Sequence, residues 1–249
     1  MTGHAAFLPK PPDVLTDVSS AQEYVLLTTA DGIGYSFMLL IIDIGILSIK
    51  VHTITSCSGV WRTVTFVSHC NFPWQSISRY NDPAILLGGV VHWLVDHGNQ
   101  ILFFDVGTRM PGLVKLPPTN RNASQLHLAT SPDGKLLKLL AIDGFMISMW
   151  LQIPTAPAGG GGWALETVID IEEKLLSLFP DLPIGGGPDV LVWFMALGKR
   201  SADVVLLHVH SQGCVVLDLE TKEIHMQKCG YMLLEIDLPS HLQSMKVFS

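Results

Sequence analysis

At 249 residues, the chain is long enough for one large β domain, and with 48% hydrophobic and only 15% charged residues it has ample material for a core. Its net charge of -7 and scattered set of 15 basic residues exclude a nucleic-acid backbone as main ligand, because phosphate binding needs clustered Lys and Arg. So few charges also imply either unusual exposed apolar area or a surface covered by a partner.

In chain order, residues 1–20 come first, where Pro9, Pro11 and Pro12 ahead of Ser19-Ser20 predict a poorly ordered lead-in. The opening Met-Thr-Gly-His lacks the basic start and apolar stretch of a signal peptide. Cys57, Cys70, Cys214 and Cys229 show no C-x-x-C spacing, so reduced thiols and a cytoplasmic or nuclear location are expected. The Asn122-Ala-Ser124 sequon is then expected to stay unmodified. Phe37 to Leu47 is apolar apart from Asp43 and Gly45, yet it is shorter than the roughly 20 residues of a membrane helix, and a central Asp opposes insertion. Buried strands, with no membrane contact, are the expectation.

From residue 21 onward the chain reads as four units of strands rich in β-branched and aromatic residues. The first holds Glu23 to Thr29, Phe37 to Asp43, Leu47 to Thr55 and Val60 to Val67, and a loop from Ser68 to Asp82 closes it. In the second, Ala84 to Leu87 and Val90 to Val95 flank Gly88-Gly89, a pair that accepts the positive φ of a tight hairpin; Ile101 to Val106 and Leu113 to Leu116 follow. The third pairs Gln125 to Thr130 with Lys135 to Ile142 across the turn signal Pro132-Asp133-Gly134, then runs through Met146 to Ile153 and Trp163 to Ile169. A short helical pattern with early acidic residues spans Asp170 to Phe179. The fourth unit holds Val190 to Ala196, Asp203 to His208, Cys214 to Leu219 and Glu223 to Gln227.

Ile101-Leu-Phe-Phe-Asp105-Val-Gly-Thr108 returns as Val215-Val-Leu-Asp218-Leu-Glu-Thr221: apolar residues, Asp, two residues, Thr, then another short apolar stretch. Third strands start near Ile101, Met146 and Cys214, about 45 and then about 68 residues apart, the helical insert absorbing the excess. Such recurrence of strand–turn–strand units predicts an all-β, propeller-like array of about four four-stranded antiparallel blades with one short helical insert. Propellers close with roughly four to eight blades, so the ring is either small and irregular or incomplete.

The order of features resembles the plant F-box-associated β-propeller family. The residues that carry the likeness are Ser56-Cys-Ser58-Gly-Val-Trp61-Arg, Gly88-Gly-Val-Val-His-Trp93-Leu, Ile101 to Asp105, Asp133-Gly134-Lys-Leu, Met149-Trp150, Gly162-Trp163-Ala-Leu and Val215 to Thr221. The resemblance covers roughly Val51 to Gln227 and implies that residues 21–249 form a propeller-like F-box-associated domain. In that family an N-terminal F-box docks on the Skp adaptor of a cullin-RING ubiquitin ligase, and the propeller is thought to hold the protein destined for ubiquitination. Residues 1–50 show no three-helix F-box pattern, so a shortened member that does not engage the Skp adaptor is expected.

Several motifs match chemical sites in part. His208 and His210 alternate on a strand and share a face, as two metal ligands would, but no third ligand is apparent, and no metal is expected. Gly159-Gly-Gly-Gly-Trp-Ala164 matches a dinucleotide loop by letters only; it follows Pro154-Thr-Ala-Pro-Ala and precedes a strand, so it reads as linker. Glu172-Glu173 reads as a solvated helix turn, and His69-Cys70 as a loop pair. With no G-x-S-x-G, H-E-x-x-H or Walker loop, no catalytic residue and no cofactor are expected.

Trp61, Trp93, Trp150, Trp163 and Trp193 fall within predicted strands and are expected to pack in the core. Trp74, in a loop with Arg79 and Tyr80, is of the type that anchors protein interfaces. In a propeller, loops between second and third strands and loops between blades emerge on one face. That face is expected to carry Trp74, Arg79, Tyr80, His97, Asn99, Asn120, Arg121, Phe145 and Gln212, where solvated turns are the plainer account of any single member. The functional expectation is a non-catalytic protein-binding module whose ligand is a protein of unknown identity. The alternatives are a truncated relative without independent activity and, less favoured, a propeller enzyme.

Overall fold

The computed structural model describes residues 9, 21–44, 48–67, 85–95, 100–117, 125–131, 133–153, 162–182, 192–197 and 204–227. They form four antiparallel four-stranded sheets. The first joins β1 (Ala21–Thr28), β2 (Phe37–Ile44), β3 (Ser48–Thr55) and β4 (Arg62–Val67) in that order. The second joins β5 (Ile85–Leu87), β6 (Val90–Val95), β7 (Gln100–Asp105) and β8 (Met110–Lys115). The third joins β9 (Gln125–Thr130), β10 (Leu137–Asp143), β11 (Met146–Ile153) and β12 (Gly162–Asp170), and the fourth β13 (Val192–Leu197), β14 (Val204–Val209), β15 (Gly213–Asp218) and β16 (Ile224–Gln227). One helix, α1 (Glu172–Leu178), precedes the fourth sheet. Each sheet is an up-and-down meander, so the expected all-β, propeller-like class with one helical insert is what the chain adopts.

Burial is graded across every sheet. Second strands are buried on both faces at consecutive positions: Leu40 to Asp43 in β2, Val91 to Trp93 in β6, Leu137 to Ile142 in β10 and Val205 to Leu207 in β14. Strands covered on both sides read as unbroken apolar runs, which is why Phe37–Ile44 imitates a membrane segment while being a strand. Every fourth strand carries exposed positions, among them Arg62, Thr63 and Thr65 in β4, Met110 and Lys115 in β8, Leu165, Glu166 and Val168 in β12, and His225 and Met226 in β16, and the first strand β1 exposes Tyr24 and Leu26.

The described residues fall into two compact units, one of residues 9–67 with 88–113, the other of 85–87 with 114–227. In the first, β1 to β4 keep an unbroken register, with Tyr24 opposite Ile41, Ile41 opposite His52 and His52 opposite Thr63. The His52 ring also hydrogen-bonds across the strand pair, Nδ1 to Thr63 Oγ1 at 2.9 Å. In the second unit, one core joins Leu140, Ile147, Met149 and Ile169 of the third sheet to Val192, Phe194, Val205, Leu207, Val215 and Leu217 of the fourth. The helical insert completes that core: Ile171, Leu175 and Phe179, spaced i, i+4, i+8, place one stripe in it, and Leu182 follows. The side chain of Asp170 accepts the Glu172 N–H at 3.0 Å at the helix start, and Lys174 Nζ donates to the Lys222 carbonyl.

The recurring Asp-x-x-Thr segments are turn caps. Asp105 Oδ1 accepts the Thr108 N–H at 2.8 Å, and Asp218 Oδ1 accepts those of Glu220 and Thr221 at 3.0 and 2.8 Å. In both copies the next residue, Arg109 (φ 61°) or Lys222 (φ 60°), is left-handed, a conformation a non-glycine residue adopts only when the turn around it holds it there. Gly88 and Gly89 have φ of 57° and 79°, as a two-residue hairpin with both centres positive requires.

Most strand limits lie within one or two residues of expectation, and two of the differences have a clear physical reason. β8 starts at Met110, ahead of Pro111 and Gly112, which read as breakers in sequence. Pro is tolerated because β8 is an edge strand, and Gly112 is needed because the Phe103 ring lies across it: a Cβ there would sit 2.3 Å from the ring Cζ. β4 starts at Arg62, leaving Trp61 just outside it, with its indole N–H donating to the Pro9 carbonyl at 2.7 Å.

The Asp218 carboxyl is held below the usual carboxylate range, chiefly by the Thr221 backbone N–H. A carboxylate with a lowered folded pKa adds stability above its unfolded value of about 3.9, and that stability is lost as pH falls through the folded value. Asp218→Asn is therefore expected to lower the urea midpoint at pH 7 and to leave it unchanged well below pH 3. Equal effects at both pH values would show that the charge is not what caps the turn.

Candidate functional site

Trp74, Arg79, Tyr80, His97, Asn99, Asn120 and Arg121 lie outside the described residues. The other two expected recognition residues occupy equivalent second-to-third-strand turns, Phe145 between β10 and β11 and Gln212 between β14 and β15. Phe145 is half-buried and packs against the core of the second unit, and its carbonyl accepts the Ile171 N–H at 3.0 Å. Its backbone carbonyl thus ties the turn to the insert, while its side chain is taken up by the core. Gln212 is half-buried in a turn closed by its own N–H to the Val209 carbonyl at 3.1 Å, with Ser211 beside it at φ 59°.

Next to this turn is the richest group of functional side chains among the described residues. Register sets Trp193 of β13 opposite His208 of β14, and His208 opposite Cys214 of β15. The Trp193 and His208 rings stack with centroids 4.3 Å apart and planes 23° apart, and His210, at the strand end, tilts against the same indole at 6.0 Å. Alternation directs Val205, Leu207 and Val209 into the core and leaves His208 and His210 on the opposite face. The His208 Nδ1 atom is buried with no hydrogen-bond partner. Burial pushes the His208 pKa down, and the neighbouring His210 adds to the shift.

The two histidines thus share a face, as their alternation implies, but with an indole between them. Among the described residues no group of three His, Cys, Asp or Glu side chains is placed to hold a metal ion. Cys57 is exposed, Cys214 is buried, and neither is in a disulfide.

The tryptophans divide differently from expectation. Trp93 is a core residue, 4% exposed, whereas Trp61, Trp150, Trp163 and Trp193 are half-buried. Trp163 ties the third sheet to the preceding chain, its indole N–H donating to the Lys115 carbonyl at 2.8 Å. An indole with a polar edge suits the margin of a core as well as its centre.

Two buried charged groups were not anticipated. Lys138 of β10 is buried and its ammonium lies 3.2 Å from Glu166 Oε2. Glu166 sits where the β11–β12 register slips between Met149 and Trp150, so it is the extra residue of a bulge, a device that re-aims a side chain. Asp43 of β2, opposite Lys50 of β3, is 1% exposed, and neither carboxylate oxygen has a hydrogen-bond partner. Such groups are rare in folded proteins because each forfeits its hydration without replacement.

Among the described residues no helix is long and apolar enough to cross a membrane. The sheets and turns define an all-β protein of propeller-like blades with polar and aromatic side chains gathered at a turn end. The chain belongs to the family described as domain of unknown function DUF7595, whose model matches residues 1–248. No curated protein matches it.

Removing one partner of a buried ion pair is worse than removing the charge altogether. Glu166→Ala, which strands the Lys138 ammonium, is expected to destabilise by about 1–3 kcal/mol after discounting for the exposure of Glu166, while Lys138→Met stays within about 1 kcal/mol of the parent. Equal losses in urea unfolding would contradict this ordering. Asp43→Leu, which removes an uncompensated buried carboxylate, is expected to stabilise by about 1–3 kcal/mol, and a lowered melting temperature would mean that the carboxylate has a partner.

Proposed function

We propose that this chain is a non-catalytic protein-binding module of the plant F-box-associated propeller type, which holds a protein partner on the turns at one end of its blades. The observation that carries the reading is the succession of four up-and-down four-stranded sheets, a repeated blade-like unit of the kind that the resemblance implies. Scaffolds of this kind leave recognition to turns held by rigid strands. The β14–β15 turn fits that role, since it carries Gln212 and follows the strand end where His208 and His210 meet a half-buried Trp193, the residue type most enriched where binding energy concentrates. The low charge content agrees with a surface completed by a partner. A cytoplasmic or nuclear location belongs to the same reading, in keeping with an exposed Cys57 outside any disulfide.

The test is affinity capture from plant cell extract with the intact chain, a Trp74→Ala plus Arg79→Ala variant and a Gln212→Arg variant, each first shown to unfold cooperatively. The proposal expects a specific set of proteins whose recovery falls at least tenfold in one or both variants. Identical partners and yields from all three would overturn the assignment of the recognition face, and turnover in broad hydrolase or oxidoreductase screens that follows the protein through purification would overturn the non-catalytic reading.

A further inference from the structure

We infer that Trp193, His208 and His210 form an acid-responsive latch on the β14–β15 turn. With both imidazoles neutral, His208 stays stacked on the indole and the turn is held; when His208 takes a proton, its ring leaves the stack and the turn is released. The geometry sets this up in three ways. The stack fixes the His208 ring between β13 and β15 at 4.3 Å from the indole. The buried Nδ1 has no acceptor, so an imidazolium in this position would carry an N–H with nowhere to donate. His210, two residues along and against the same indole, becomes a like charge when it too is protonated.

None of the described residues facing His208 supplies a compensating anion. Among the described residues, β13 faces His208 with Trp193, β15 faces it with the Cys214 thiol, and β16, one strand further, adds Gln227 opposite Cys214. His225 of β16, opposite Val216, lies 3.5 Å from Glu223, so that carboxylate is committed to the far edge of the sheet. An indole face attracts a cation, and this attraction opposes release. The loss of hydration at His208 and the charge of His210 outweigh it, in agreement with the lowered proton affinity of His208. Ser211 holds a left-handed conformation, φ 59°, which serine adopts less readily than glycine, so releasing the turn also relieves a local backbone cost.

The sign follows from linkage. A histidine that binds its proton less readily when folded leaves stability complete above its unfolded pKa of about 6.5 and erodes it as pH falls below that value. Below the folded pKa both states are protonated and the erosion stops. The latch thus works between neutral and mildly acidic pH and involves one proton.

The test is a pH titration from 8 to 4.5 of the intact chain labelled with carbon-13 histidine and nitrogen-15, with His208→Gln assigning the ring signal. The inference expects a His208 midpoint below about 6.5. It also expects the Trp193 indole N–H and the amides of Ser211, Gln212 and Gly213 to shift with that same midpoint, and the midpoint to rise in His210→Gln. In His208→Gln the turn amides should show no such transition. A His208 midpoint at or above 6.5, or turn amides indifferent to it, would overturn the latch. If His208→Gln does not fold, His210→Gln alone decides: an unmoved midpoint refutes the coupling, and a raised one supports it.

Discussion

Double-sided burial of the second strand in every sheet is the constraint on which the remaining structure depends. A strand such as Leu137–Ile142, buried at each successive position, cannot present one face to water and must have cover on both sides. Within the second unit the cover is visible. The third and fourth sheets and the α1 stripe share a core, with His127 and Phe194 rings 5.5 Å apart between β9 and β13. The fourth strands, free of that demand, each leave side chains exposed. A sheet graded in this way has a well-defined inside strand and a tolerant outside strand, and its turns are held by strands that have little freedom to shift register.

The same constraint makes polar side chains inside second strands costly, and each of the four has one before its last residue: Asp43, His92, Lys138 and His208. They are accommodated in different ways. Lys138 meets Glu166, brought within reach by a bulge. His208 is half-buried, neutral and stacked on Trp193, and His92 lies 6.5 Å from the Phe103 ring. Neither carboxylate oxygen of Asp43 has a hydrogen-bond partner. Groups retained at a cost to stability are where function or conformational specificity is to be sought. Of the four, His208 is the one next to a turn with the exposure and strain to respond.

Much of the architecture was legible in the sequence because its signals are local. Alternation and β-branching located the strands, Gly88-Gly89 marked a hairpin, and the run from Asp170 to Phe179 marked a short helix, whose buried stripe of Ile171, Leu175 and Phe179 is seen only in the structure. The repeated Asp-x-x-Thr was visible as a pattern and is explained by carboxylates capping two equivalent turns. What escaped depends on pairs that only register brings together. Nothing local links Lys138 to Glu166 or Trp193 to His208, and Pro111 and Gly112 look like breakers until the edge position of β8 and the overlying Phe103 ring are known. The candidate site was legible as a set of turns. Phe145 shows the limit of that reading, since its side chain is engaged with the core beneath its turn.

Native-state hydrogen exchange on the intact chain tests the central claim most directly. If the second strands anchor the sheets, amides in β2, β6, β10 and β14 exchange slowest, at the rate of global unfolding, while those of β4, β8, β12 and β16 exchange through smaller local openings. Fourth-strand amides protected as strongly as second-strand ones, or protection concentrated in α1, would contradict it.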